Sequence, residues 1–233
     1  YDVFSSKVTT QSVEEVALFI REQKLRLHFI FETHVHADHM SGATELKQRL
    51  ETPEIAINEH IRKVQETSSK IYNLSVAKDG SQFDLLLKDG EQVKAGKIEI
   101  QVRATPGHTP ACVSYLIEDA VFTGDVLFLP EAGVGRCDFP NGSAEQLFDS
   151  VTQRLFTLPD NTRVFPAHDY REEKGASKCE SSIGEEKIAN IHLKAETAKN
   201  DFVKFRNERD KTLKAPRLLF PSIQVNIQAG RLP

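Results

Sequence analysis

A strand-like run from Leu25 to Glu32 ends on Thr33-His34-Val35-His36-Ala37-Asp38-His39, so three histidines and an aspartate crowd one strand end. Imidazole nitrogen and carboxylate oxygen are ligands for first-row metals, and such density points to a metal site. The pattern then recurs. His108 lies in Thr105-Pro106-Gly107-His108-Thr109, after the strand-like Lys97–Ala104. Asp125 ends Thr123-Gly124-Asp125, after Ala120–Phe122, and His168 lies in Pro166-Ala167-His168-Asp169, after Arg163–Phe165. Each donor follows the carboxyl end of an expected strand, and His108, Asp125 and His168 do so just after Gly or Pro. In α/β folds, sites collect at that edge of a sheet. Gly107 and Gly124 let the backbone turn sharply, so that the next side chain points inward. Of the remaining histidines, His28, His60 and His192 lie outside the pattern and read as surface or packing residues.

Between the donors the chain alternates strands and capped helices. Ser12 with Glu15 reads as a capping box opening a helix over 12–23, with Val13, Val16, Phe19 and Ile20 at helical spacing. Further helices are expected over 43–50, over 60–67, from Ser143 (capped with Gln146, carrying Leu147, Val151 and Leu155), from Ser182 (capped with Glu185, carrying Ile188, Ile191 and Ala195), and over 200–212. Strands are expected over 25–32, 54–58, 84–87, 97–104, 112–117, 120–122 and 163–165, with turns at Asp89-Gly90, Ala95-Gly96 and Glu118-Asp119. The tail from Leu213 to Pro233, interrupted by Pro216 and Pro221, is expected to wrap the surface. Mixed strands and helices indicate α/β layers. We expect a catalytic domain over 1–170 and a helical C-terminal extension over 171–233 packing on it.

Composition narrows the function classes. A formal net charge of −4 and the lack of a basic stripe interleaved with aromatics argue against nucleic acid. No run approaches the length of a membrane span, and no signal peptide is evident. Cys112, Cys137 and Cys179 are odd in number and widely spaced, which makes neither a disulfide framework nor a zinc ribbon. A reducing compartment, the cytoplasm or a mitochondrial matrix, fits that usage.

The stretches 33–39 (T-H-V-H-A-D-H), 105–109 (T-P-G-H-T), 123–125 (T-G-D) and 166–169 (P-A-H-D) together resemble the metallo-β-lactamase superfamily, in the family's order. The resemblance implies an αββα sandwich with its site at one edge. In the family a β-hairpin region precedes the first helix, whereas here that helix stands almost at the start. Either the first sheet is expected to lack its opening strands, or the sequence is expected to be a fragment with those strands upstream. In the dinuclear version His34, His36 and His108 would hold one metal, Asp38, His39 and His168 a second, and Asp125 would bridge them.

Two chemistries fit this donor set. Two Zn²⁺ ions sharing a hydroxide would make a hydrolase of the glyoxalase II type, acting on a glutathione thioester. Alternatively one Fe²⁺ held by His34, His108 and Asp125 alone leaves open positions for a thiol-derived sulfur and O₂. The latter implies a persulfide dioxygenase converting glutathione persulfide to sulfite and glutathione. His36, Asp38, His39 and His168 then orient ligands and water, or hold metal, depending on the plan. The dioxygenase is favoured because Gly133-Val134-Gly135-Arg136-Cys137-Asp138-Phe139 resembles the G-x-G-R-x-D-F loop of those enzymes, and 166–170 resembles their P-A-H-D-Y. The C-terminal part also looks like that of bacterial members, and the longer helical domain of glyoxalase II has no clear equivalent. Arg136 is a candidate for gripping a glutathione carboxylate, or else for an ion pair with Asp138. Tyr170 is a candidate to donate its hydroxyl to the substrate, or else a half-buried packing residue. Cys137 and Cys112 read as packing residues, Cys179 as an exposed thiol. Residues 171–187 are a solvated loop or a substrate lid. The resemblance leaves room for a homodimer and for a rhodanese-like functional partner.

Overall fold

A computed structural model describes residues 1–2, 4–50, 53–170 and 178–232. By contact the chain divides into two units, residues 1–87 with 214–233, and residues 88–213. In chain order the first unit holds α1 (Gln11–Glu22), β1 (Phe29–Phe31), α2 (Ala43–Arg49), β2 (Glu54–Asn58), α3 (Ile61–Tyr72) and β3 (Leu85–Leu87). The second holds β4 (Gln92–Ala95), β5 (Ile98–Ala104), β6 (Val113–Ile117), β7 (Ala120–Gly124), α4 (Ala144–Asp149), β8 (Arg163–Pro166), β9 (Ser181–Ser182), α5 (Ile183–Ala189) and α6 (Lys199–Asp210). The chain returns to the first unit with α7 (Leu219–Asn226).

The first unit's sheet is β1-β2-β3, parallel throughout. Its central strand β2 buries four consecutive residues, Ile55 to Asn58, the continuous burial a parallel strand with neighbours on both sides requires. The second unit's sheet runs β4-β5-β6-β7-β8-β9. Strand β5 is antiparallel to β6, β6 to β7, and β7 is parallel to β8, so β5, β7 and β8 point the same way. Their carboxyl ends share one edge, and those are the ends that lead to His108, Asp125 and His168. Behind this sheet Val121, Leu127, Leu147, Leu155, Val164 and Phe202 belong to one buried apolar cluster.

Several expectations need correction. The helix at the start begins at Gln11, with Thr10 in the capping position and no side-chain cap. Glu15 is engaged instead by the Gln11 side chain at 3.0 Å, so the Ser12–Glu15 capping box does not form. The strand expected over 25–32 shrinks to Phe29–Phe31, the stretch that finds a partner in β2. Strand β4 was not foreseen. Only Val93 of its four residues is buried, so it shows little apolar alternation, and it exists because the turn at Ala95-Gly96 folds it back along β5. The helix from Ser182 has its expected capping box but ends at Ala189, leaving Ile188 and Ile191 exposed. Asn190 ends it by leaving helical backbone angles and turning its side chain onto Glu186. The tail is not a surface wrap. Pro221 sits in the first turn of α7, where a missing N–H costs nothing, and Ile223, Val225, Ile227 and Ala229 are buried. Of the 171–187 segment read as a loop or lid, residues 171–177 lie outside the described residues.

Candidate metal centre

In the first unit the chain leaves β1 at Phe31 and coils through 32–41. His34 and His36 are buried, with ring centroids 4.1 Å apart. His36 and His39 are also 4.1 Å apart by centroid, and His39 Nδ1 lies 3.1 Å from Asp38 Oδ1. One donor atom from each of His36, Asp38 and His39 falls within 4.8 Å of the others. Thr33 Oγ1 sits 3.0 Å from His34 Nδ1. Glu32, read in the sequence only as a strand terminus, is close to His36 (Oε2 to Nε2, 3.6 Å) and accepts the Ser41 hydroxyl. Burial pushes its carboxyl up, but the bonds from His36 and Ser41 outweigh that and hold it below the usual carboxylate range.

This coil is tied down by Asn226 at the end of α7. Its Nδ2 donates to His36 O at 2.9 Å and His39 O at 2.7 Å, while its Oδ1 accepts from Ser41 N–H at 2.8 Å. Three backbone groups of the donor loop are thereby satisfied by one buried amide. Sequence reading missed Asn226, for nothing in its neighbourhood signals a partner near residue 36.

In the second unit His108, Asp125 and His168 meet at the shared strand edge. Gly107 has φ of 145°, and a Cβ there would lie 2.4 Å from Leu147 Cα. Gly124 has φ of 56°, so both glycines make the turns foreseen for them. His108 Nδ1 lies 2.7 Å from the Arg136 carbonyl. A carbonyl only accepts, so Nδ1 carries a proton, and in the neutral ring Nε2 is then the atom with the lone pair. That Nε2 is 3.8 Å from Asp125 Oδ2, and His168 Nε2 is 3.5 Å from Asp125 Oδ1. The two oxygens of one buried carboxylate thus face two different imidazoles. Imidazole and carboxylate, converging at these distances, make a donor set that suits a first-row divalent metal.

The other candidates fall around this edge. Arg136 pairs in two-point fashion with Asp138, Nε to Oδ1 and Nη2 to Oδ2, both at 2.6 Å. Those hydrogen bonds hold the guanidinium above its ordinary range. The Arg136 guanidinium also lies 5.2 Å over the Phe139 ring, whose edge meets His108. Tyr170 is 52% exposed and stacks on His168 at 4.8 Å. Cys137 and Cys112 are buried, and burial pushes both thiols up, Cys112 to about 12. Cys179 is exposed. His192 is no donor at this edge: its Nδ1 accepts from Val134 N–H at 3.1 Å, and burial depresses its pKa to about 4.

Residues 9–168 match the metallo-beta-lactamase superfamily. Glyoxylase B2 of Dictyostelium discoideum is 46% identical over 236 residues, spanning 100% of this chain and 80% of that protein. The human mitochondrial persulfide dioxygenase ETHE1 is 33% identical over 216 residues, or 92% of this chain and 74% of that protein. The crystal structure of ETHE1 from Myxococcus xanthus matches with a TM-score of 0.78 at 34% identity, covering 96% of this chain and 86% of that one. This chain belongs to the metallo-β-lactamase superfamily, and its mixed α/β architecture of helices and two sheets is that family's fold. Among the described residues no helix is long and apolar enough to cross a membrane.

Proposed function

We propose that this protein is a non-haem iron dioxygenase that oxidises glutathione persulfide, with one Fe²⁺ held by His34, His108 and Asp125. The observation that carries the reading is local. The 133–139 loop, which resembles that of persulfide dioxygenases, is the loop whose Arg136 carbonyl lies 2.7 Å from His108 Nδ1, on a ring whose Nε2 points toward Asp125. Likeness to two proteins named ETHE1, human and bacterial, supports it.

The reaction takes glutathione persulfide, O₂ and water to glutathione, sulfite and two protons. The outer sulfur is oxidised and the S–S bond breaks. O₂ takes up the four electrons, and the thiol sulfur leaves with a proton. A ferrous ion supplies the redox chemistry that lets triplet O₂ react with a sulfur nucleophile. The chain's own residues position and protonate. Asp125 sets the charge of the site, and His36, Asp38, His39 and His168 orient the ligands around it. The exposed Tyr170 hydroxyl beside His168 faces the substrate, and Arg136, fastened to Asp138, shapes the loop and adds positive charge for a carboxylate.

The second reading is a dinuclear zinc hydrolase of a glutathione thioester. It is favoured by the His36–Asp38–His39 donor group and by the approach of His168 to the second Asp125 oxygen. One experiment separates the two. Protein purified anaerobically is analysed for metal, loaded with iron, and followed by O₂ uptake with glutathione persulfide and by hydrolysis of lactoylglutathione. We expect one iron per chain and thiol-dependent O₂ uptake. Stoichiometric zinc, no O₂ uptake after iron loading and rapid hydrolysis would establish the alternative.

A further inference from the structure

The backbone of residues 133–137 is gripped from outside the loop at almost every polar group. Asn190 Nδ2 donates to Gly133 O at 3.1 Å, and Val134 N–H donates to His192 Nδ1. Gly135 N–H reaches Val126 O at 3.4 Å. The two strongest grips come from α6. Arg206 Nη1 donates to Val134 O at 3.1 Å, and Cys137 N–H donates to Asp210 Oδ2 at 2.7 Å. Arg206 and Asp210 stand one helical turn apart and form an ion pair with each other, their side chains only 1% and 5% exposed. The peptide group that Asp210 holds through the Cys137 N–H is the one whose oxygen, the Arg136 carbonyl, receives the His108 Nδ1 proton.

A buried ion pair is a poor device for stability alone, because apolar residues of the same size fill such a place at no desolvation cost. This pair does what an apolar pair cannot. Asp210 accepts from the N–H of the very peptide group whose oxygen is the Arg136 carbonyl, and Arg206 bonds the peptide group two units before it. We propose that Arg206 and Asp210 are positioning residues for His108, acting through the Arg136 carbonyl. They hold that oxygen where only the Nδ1-protonated ring fits, which presents Nε2 as the donor. The inference rests on the reading of His108 as a metal ligand, but its first step, the tautomer, stands apart from any metal. Partners that orient a ligating histidine typically change metal affinity 10- to 100-fold when removed.

The test uses the full chain. The double variant Arg206→Met/Asp210→Leu removes both charges and both loop bonds while refilling the core, and Asp210→Asn is the milder second variant. Three readouts are taken on each: thermal unfolding, ring-nitrogen NMR of His108 in metal-free protein, and titration of metal-free protein with Co²⁺. We expect a cooperatively folding double variant in which the His108 ring no longer shows a single Nδ1-protonated form and Co²⁺ affinity falls about 10-fold or more. Asp210→Asn should move both readouts in the same direction by less. Lower melting temperature with an unchanged tautomer and unchanged Co²⁺ affinity, in whichever variant folds, would overturn the proposal and leave the pair merely structural. If the tautomer shifts while His108→Ala binds Co²⁺ as tightly as wild type, the clamp stands and the ligand assignment falls.

Discussion

The donor loops of the two units are held by opposite means. In the first unit a neutral amide, Asn226, satisfies three backbone groups of the 36–41 coil from as far as 190 residues along the chain. In the second, a buried charge pair on α6 holds the 133–137 loop, and that loop holds His108. An amide matches both donors and acceptors in one small group and carries no charge to desolvate. An ion pair has stronger single bonds, but each charge depends on the other. The first arrangement should therefore yield gradually to mutation, whereas the second should yield in steps, each leaving a buried charge alone.

The sharpest test of the contrast is at the donors themselves. His108→Ala should abolish metal binding and activity, a loss well beyond 100-fold, while His60→Ala, at the start of α3, should leave both unchanged. Metal content and turnover of the two variants check this, and equal behaviour would sink the assignment of donors by strand end.

Next in size is Gly135→Ala. A Cβ there would lie 1.9 Å from the Asp125 carbonyl oxygen, a backbone atom that cannot step aside alone. Overpacking of this kind should cost more than about 3 kcal/mol and displace Asp125. Urea denaturation measures the first effect and metal analysis the second. A variant as stable as wild type would mean the loop is not held as described.

Asn226→Asp keeps the shape and the acceptor for Ser41 N–H but loses both donations to His36 O and His39 O. Leaving two buried carbonyls unpaired against a carboxylate should cost about 3 kcal/mol. Only the first unit's donor group should suffer, so the His108 ring signals should stay in place while those of His36 and His39 shift. Movement of His108 would contradict the idea of separately held loops.

The smallest effect is a pH dependence around the second loop. Burial pushes the Glu186 carboxyl up to about 7, so it stays protonated in the folded chain after the unfolded chain ionises near 4.5. Its contribution to stability is complete below about 4.5 and is lost as pH rises through about 7. His192 runs the other way. Its pKa is pushed from 6.5 to about 4, so stability from that source is present above 6.5 and lost as pH falls toward 4. Between these limits the two slopes oppose, and the wild type should be flatter than either variant. Glu186→Gln should gain on the order of 2 kcal/mol relative to wild type between pH 5 and 8. His192→Gln should instead lose ground relative to wild type over the same rise. Denaturation at the two pH values decides, and parallel curves would show that neither group titrates as its burial implies.

What could be read in advance was whatever local chemistry controls. Ser143 caps α4 by accepting from Gln146 N–H, and Ser182 closes a capping box with Glu185, because those bonds span a single turn. Strand β2 occupies Glu54–Asn58 as expected, its apolar run being legible without neighbours. Misreadings fell where distant partners decide. Ser12 lost its cap to Thr10 and Gln11, β1 kept only the residues that β2 pairs, and polar β4 exists only along β5. The apolar residues of α7 looked like a surface wrap until their burial made them part of a core.

The site divides in the same way. By itself the sequence picked out the candidate donors, His34, His36, Asp38, His39, His108, Asp125 and His168, and their place after strands, since polar donors just beyond an apolar strand-like run are a local pattern. It also carried the motifs of the metallo-β-lactamase superfamily. Tertiary structure alone decided which nitrogen of His108 bonds the Arg136 carbonyl, what shares Asp125's two oxygens, and which side chains hold the loops. Those are questions of hydrogen-bond partners, and Asn226, Arg206 and Asp210 become partners only when segments 72 to 190 residues apart are folded to within 3.1 Å of each other.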